Sequence, residues 1–149
     1  MTDLPFVDEV VRLTFEEMAF LDIASGLGPR AEPTPEEGPV LYLSYTHPAM
    51  GAFALYLPKE IKFEVAEAIY GEEWRALSAT QLDDSLLDLM KVLAGRVLTN
   101  RFGNGSPYKM GLPTVLYDPP ESLPGSIRTD FPFHVDEKTF TLVWYEVPV

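Results

Sequence analysis

From Asp84 to Asn100 the apolar residues Leu86, Met90, Leu93 and Val97 recur at helical spacing. Steps of three and four residues keep them on one side of an α-helix, because each residue advances the helix by about 100°. A helix with one apolar stripe is stable only when that stripe is buried against another layer. The rest of the chain has to supply that layer.

Two β-rich runs, Val40 to Thr46 and Ala52 to Leu57, are separated by a short turn from His47 to Gly51 and predict a hairpin. Further strands are predicted at Lys109 to Tyr117, near Ile127 to His134, and at Thr139 to Val147, the last pair turning at Asp136, Glu137 and Lys138. Asp3 and Pro5 open a first helix over residues 5 to 22, with Val7, Val10, Val11, Phe15, Met18 and Leu21 at helical spacing. Pro58 opens a second over residues 58 to 70, with the stripe Ile61, Val65, Ala68 and Ile69, and Gly71 ends it. Asp83 or Asp84 caps the third. Residues 25 to 39, rich in glycine, proline and glutamate, read as a surface loop, as does the segment holding Pro119, Pro120 and Pro124.

The order helix, hairpin, helix, helix, strands separates helices from strands instead of alternating them. It predicts an α+β fold, a two-layer sandwich of helices on a largely antiparallel sheet, as a single domain over residues 1 to 149.

Composition removes several function classes. With 46% apolar and 23% charged residues the chain is in the globular range. It has no cysteine, which excludes disulfides, zinc thiolate sites and thiol nucleophiles. A formal net charge of -12 opposes phosphate backbones and anionic lipid, so neither nucleic acid nor a membrane surface is an expected partner. No secretory signal pattern follows Met1 and no apolar run is long enough to span a bilayer, which points to the cytoplasm.

The third helix carries a second pattern. Asp84, Asp88, Lys91 and Gly95 fall within about 60° of arc, on the side away from Leu86, Met90, Leu93 and Val97, and are expected to face solvent. A glycine inside a helix costs roughly 1 kcal/mol against alanine, so Gly95 on an outward face suggests that a partner's backbone comes close there. After a glycine-containing loop comes the run Met110, Gly111, Leu112, Pro113, Thr114, Val115. This arrangement resembles the CheC/CheX chemotaxis phosphatases. Their signature is an acidic residue or serine, then glutamate, then asparagine, followed about two dozen residues later by a proline opening a strand. The same frame falls here on Asp84, Asp88, Lys91 and Pro113, with Ala94 and Gly95 in place of the family's small residue and glycine.

The resemblance implies docking on a CheY-like response regulator. In such proteins the asparagine amide orients water against the regulator's aspartyl phosphate, the glutamate pairs with the regulator's lysine, and the regulator supplies Mg²⁺. It makes Asp88 and Lys91 the catalytic positions, and Asp84, Asp88, Lys91 and Gly95 the partner-binding ones, with no cofactor or metal held by this chain. Lys91 departs from the family, since an ammonium has three donors and no acceptor. Asp88 keeps the glutamate's charge with one methylene less. Phosphatase activity is therefore expected to be weak or lost. Without the family frame, Asp88 and Lys91 read as an ordinary i, i+3 helix pair.

The first helix holds no Asn or Gln that could replace the amide, although Glu9 and Arg12 have the acid-to-base spacing. His47 and His134 lack partners at metal-ligand spacing and read as exposed loop histidines. Gly103 to Pro107 lacks the ending of a phosphate loop and reads as a turn. Trp144, Tyr145, Phe131, Phe133 and Phe140 read as core and sheet-face residues, and an exposed remainder would form a homodimer edge, as sheet pairing in CheX dimers suggests. A non-catalytic dimeric scaffold and a small-molecule enzyme with an unrecognised pocket are the other readings.

Overall fold

A computed structural model describes residues 5–26, 39–47, 49–103, 109–135 and 137–148. The elements follow in the order α1 (Pro5–Ala19), β1 (Ala24–Ser25), β2 (Val40–His47), β3 (Gly51–Tyr56), α2 (Lys59–Tyr70), a 3₁₀ helix (Gly71–Ala76), α3 (Ala79–Phe102), β4 (Lys109–Met110), β5 (Thr114–Leu116), β6 (Ile127–Val135) and β7 (Lys138–Glu146). The strands make one antiparallel sheet in the order β1-β6-β7-β3-β2-β4, and β5 also pairs with β2. This is the α+β architecture that the order of elements predicts.

Strand alternation divides the sheet into two faces. Leu41, Leu43 and Tyr45 of β2, Phe53 and Leu55 of β3, and Phe140, Leu142 and Trp144 of β7 belong to one core. Into that core all three helices insert their apolar stripes: Val7, Val11 and Phe15 from α1, Ile61 and Val65 from α2, and Leu86, Leu89, Met90, Leu93 and Val97 from α3. The alternate residues Val40, Ala52, Ala54, Tyr56, Val143 and Tyr145 form a smaller cluster, with Leu123 packed against it.

One point of the core tolerates no added volume. Trp144 Nε1 donates to the buried Tyr45 hydroxyl at 3.0 Å. Beside them, a Cβ on Gly51 would overlap that hydroxyl and lie 2.5 Å from the Tyr145 carbonyl oxygen. Only a residue without a side chain fits. Burial pushes the Tyr45 phenol above its ordinary value, with the Trp144 bond acting in the opposite sense.

Several boundaries differ from the sequence expectation. α1 ends at Ala19 instead of residue 22, because Phe20 takes a left-handed φ of 54° and Leu21 N–H turns back to the Phe15 carbonyl at 3.3 Å. α3 is capped by Ser78 and not by Asp83 or Asp84: the Ser78 hydroxyl accepts from Gln81 N–H while the Gln81 side chain accepts from Ser78 N–H. Asp83 instead accepts from Lys62 Nζ at 2.8 Å, tying α3 to α2. The expected strand from Lys109 to Tyr117 is two short strands, β4 and β5. Between them Gly111 N–H bonds to the Ser44 carbonyl at 2.7 Å, and Pro113 has no N–H to offer a ladder. Asp3 as a cap, Asp136 of the turn before β7 and most of the loop expected at 25 to 39 lie outside the described residues.

His134 is not a loop residue. It lies in β6, half-buried, with Nδ1 2.7 Å from the Gly26 carbonyl, where it fastens the chain after β1 to the sheet edge. His47 is exposed at the end of β2.

Candidate functional site

The length of α3 sets the site. Its capping box fixes the start, and Gly103 ends it with a φ of 91° and an N–H bond to the Thr99 carbonyl at 2.8 Å. Leu86, Met90, Leu93 and Val97 are buried in the core, which turns the opposite stripe outward. Asp84, Asp88 and Lys91 are exposed, and Gly95 is half-buried.

That stripe borders an open groove of about 750 Å³ between α1 and α3. From α3 come Asp88, Lys91, Val92, Gly95, Arg96, Thr99 and Asn100, from α1 Val10, Leu13 and Glu17, and from β4 Met110. Asp88, Lys91 and Gly95 are thus brought together in one concavity, while Asp84 shares their stripe but does not line it. Pro113, the last position of the motif frame, does not line it either. Among the described residues, its segment reaches the groove through Met110 alone.

The contribution of α1 is not visible in the motif. Arg96 secures it: its Nη2 donates to Glu17 Oε2 at 2.7 Å and its Nη1 to Thr14 Oγ1 at 3.2 Å. Thr14, fully buried, donates its own hydroxyl hydrogen to the Val10 carbonyl at 2.7 Å. The guanidinium spans the two helices as a fork, a geometry that lysine could not supply. The sequence holds one hint of this wall, since Leu13 stands outside the apolar stripe of the first helix. It is 43% exposed and forms part of the groove.

The charges in the groove are unequally engaged. Of the two cations among its described residues, Arg96 is held by Glu17. Among the described residues Lys91 has no hydrogen bond or ion pair, and neither has Asp88. The i, i+3 pair that the spacing allows is therefore not formed. Asn100 Nδ2 donates to the Arg96 carbonyl at 2.9 Å, so the amide that lines the groove is anchored to its own helix. The other amide near the motif, Asn104, lies outside the described residues. Among the described residues no cluster of three or more His, Asp or Glu could hold a metal ion, and no helix is long and apolar enough to cross a membrane.

No protein-family model matches the sequence, and no curated protein matches it. Solved structures do match the fold. The chain superposes on the chemotaxis protein CheX of Desulfovibrio desulfuricans with a TM-score of 0.76 at 14% identity, covering 94% of this chain and 96% of that one. CheX of Vibrio vulnificus gives 0.72 at 12% identity, covering 93% and 92%. A chain of the CheX–CheY–BeF3–Mg²⁺ complex of Borrelia burgdorferi gives 0.69 at 17% identity, covering 95% and 94%. Over nearly its whole length, then, this chain has the fold of the CheX chemotaxis proteins.

Proposed function

We propose that this protein is a CheX-like signalling domain that docks on a CheY-like response regulator through the groove face of α3, with phosphatase activity weak or lost. The observation that carries the reading is the outward stripe of α3. Asp88 and Lys91 stand exposed and unpaired beside Gly95, on a fold shared with a chain of the complex that holds CheY, BeF3 and Mg²⁺. Charged side chains left without internal partners are available to a partner protein, and electrostatic complementarity of that kind sets orientation and specificity. The metal and the phosphorylated aspartate would both belong to the regulator.

Weak hydrolysis follows from the chemistry of Lys91. To direct water at a phosphoryl group, a side chain must accept a hydrogen bond from that water while it attacks. An ammonium can only donate. Asp88 can still accept from a partner lysine, with the reach of one methylene less than glutamate.

The test is to incubate the protein with phosphorylated receiver domains from its own source and follow phosphate release, alongside Lys91→Asn. Wild-type protein is expected to bind a receiver and leave its dephosphorylation rate within about twofold of the spontaneous rate. Lys91→Asn should raise that rate by about tenfold or more, since holding the attacking water in line contributes at least that much. Binding to no receiver in either form would reject the docking and favour a non-catalytic scaffold. The scaffold reading has its own support at the sheet edge, where, among the described residues, β1 covers only Phe133 and His134 of the nine-residue β6.

A further inference from the structure

We infer that Phe20, displayed one residue past the end of α1, is the apolar anchor of the docking proposed above: its ring enters an apolar recess on the receiver, beside the surface that meets Asp88 and Lys91. The inference rests on that docking and adds to it a contact that the α3 motif does not contain.

Two properties of Phe20 are unfavourable to its own fold. Its φ is 54°, and among the described residues it is the one non-glycine residue with a positive φ. A side chain at such a φ crowds the carbonyl that follows, so glycine or asparagine ordinarily ends a helix this way. The ring is also 74% exposed, so burial does not offset the strain. Exposed apolar side chains are common, and exposure alone points nowhere. An aromatic residue that is strained at the backbone and also left in water serves something other than its own chain.

The chain on either side fixes the ring in this place. Phe15 and Ala19 before it are fully buried, and Ile23 after it is buried as well. Leu21 N–H donates to the Phe15 carbonyl at 3.3 Å, and Ala24 pairs with His134 at the sheet edge. Little backbone freedom remains to be lost on binding, and preorganisation of that kind strengthens a contact.

Position joins Phe20 to the docking face. Leu13 and Glu17 of α1 line the groove, and Phe20 follows Glu17 by three residues. It is not among the lining residues, so it extends the face beyond the α1 wall instead of filling the groove. Phenylalanine has no polar tip, so the recess that receives it is apolar, as the cores of interfaces are. A membrane would be the other sink for an exposed ring, and the net charge of -12 opposes an anionic lipid surface.

The experiment pairs calorimetry of the full chain with each receiver domain of its source and urea unfolding of the same variants. Phe20→Asn removes the ring and relieves the strained φ. It is expected to raise the urea midpoint at unchanged slope and to weaken receiver binding by about tenfold or more. Movement in opposite directions would show that affinity is not lost through the fold. Phe20→Leu keeps both the strain and an apolar side chain, so its midpoint should stay near that of the wild type and its affinity within about fivefold.

A Phe20→Asn protein that binds the receiver as tightly as the wild type would overturn the inference and leave the docking standing. So would a lowered urea midpoint, because Phe20 would then serve the fold. Sedimentation of the free chain provides a third way to overturn it: if Phe20→Asn abolished self-association and left receiver binding unchanged, the ring would belong to a contact between copies of this chain. Failure of the wild type to bind any receiver would overturn the docking, and the inference with it.

Discussion

Toward the sheet, the α3 residues Leu86, Leu89, Met90, Leu93 and Val97 are at most 3% exposed and share one core with β2, β3 and β7. Toward solvent, Asp84, Asp88 and Lys91 of the same helix are exposed, and the last two have no partner among the described residues. The inward side is over-determined, each residue held by many others. The outward side is under-determined by the protein itself. Stability is therefore written on one face of the helix, and recognition has the other free.

The largest test of that contrast is Leu93→Ala. The side chain is 1% exposed, and truncation leaves a cavity that close-packed neighbours can only partly fill. A loss of about 3 kcal/mol is expected, read from the midpoint shift of urea unfolding at constant slope. A loss below about 1 kcal/mol would mean that the inward face is loosely packed, and the contrast would fail on that side.

Much of this fold is legible in the sequence because short-range periodicity decides it. The apolar stripes of α1, α2 and α3 and the alternation along β2, β3 and β7 are local signals. The structure buries most of the residues they mark, with Met18, Leu21 and Ile69 packed at the margin of the core. What the sequence hides depends on distant partners. Asp83 has the chemistry of a cap but is drawn to Lys62 of α2, a pairing between residues 21 positions apart. The strand expected at Lys109 to Tyr117 is broken where Gly111 bonds to Ser44 across the sheet. The stripe of Asp84, Asp88, Lys91 and Gly95 is readable from helix geometry alone. The opposing wall of the groove is not, since Arg96 meets Thr14 and Glu17 across 82 and 79 residues of chain.

The start of α3 gives a test of intermediate size. Ser78 and Gln81 satisfy each other's backbone N–H groups at 3.2 and 2.9 Å, and both are exposed, so packing contributes little there. Ser78→Ala removes one side of the box and should cost about 1 kcal/mol. The same substitution leaves Asp83 and Asp84 untouched. If it proved neutral while Asp83→Ala or Asp84→Ala frayed the helix start, measured by hydrogen exchange of the first-turn amides, the acidic pair would be the cap after all.

The smallest expected effect is the most informative for the outward face. Lys91→Ala and Asp88→Ala should each change stability by less than about 0.5 kcal/mol, because both side chains are exposed and neither has a hydrogen bond or ion pair among the described residues. Alanine's helix propensity can even offset what is removed. The sharper quantity is their coupling. A formed i, i+3 or i, i+4 ion pair on a helix contributes about 0.2 to 0.5 kcal/mol, whereas two unpaired charges at this spacing should show a coupling near zero in a double-mutant cycle. Urea unfolding of the wild type, both single variants and the double variant measures it. A coupling within the range of a formed pair, about 0.2 to 0.5 kcal/mol, would show that Asp88 and Lys91 serve each other in solution. The outward face would then be part of the scaffold, with no free ammonium left for a partner.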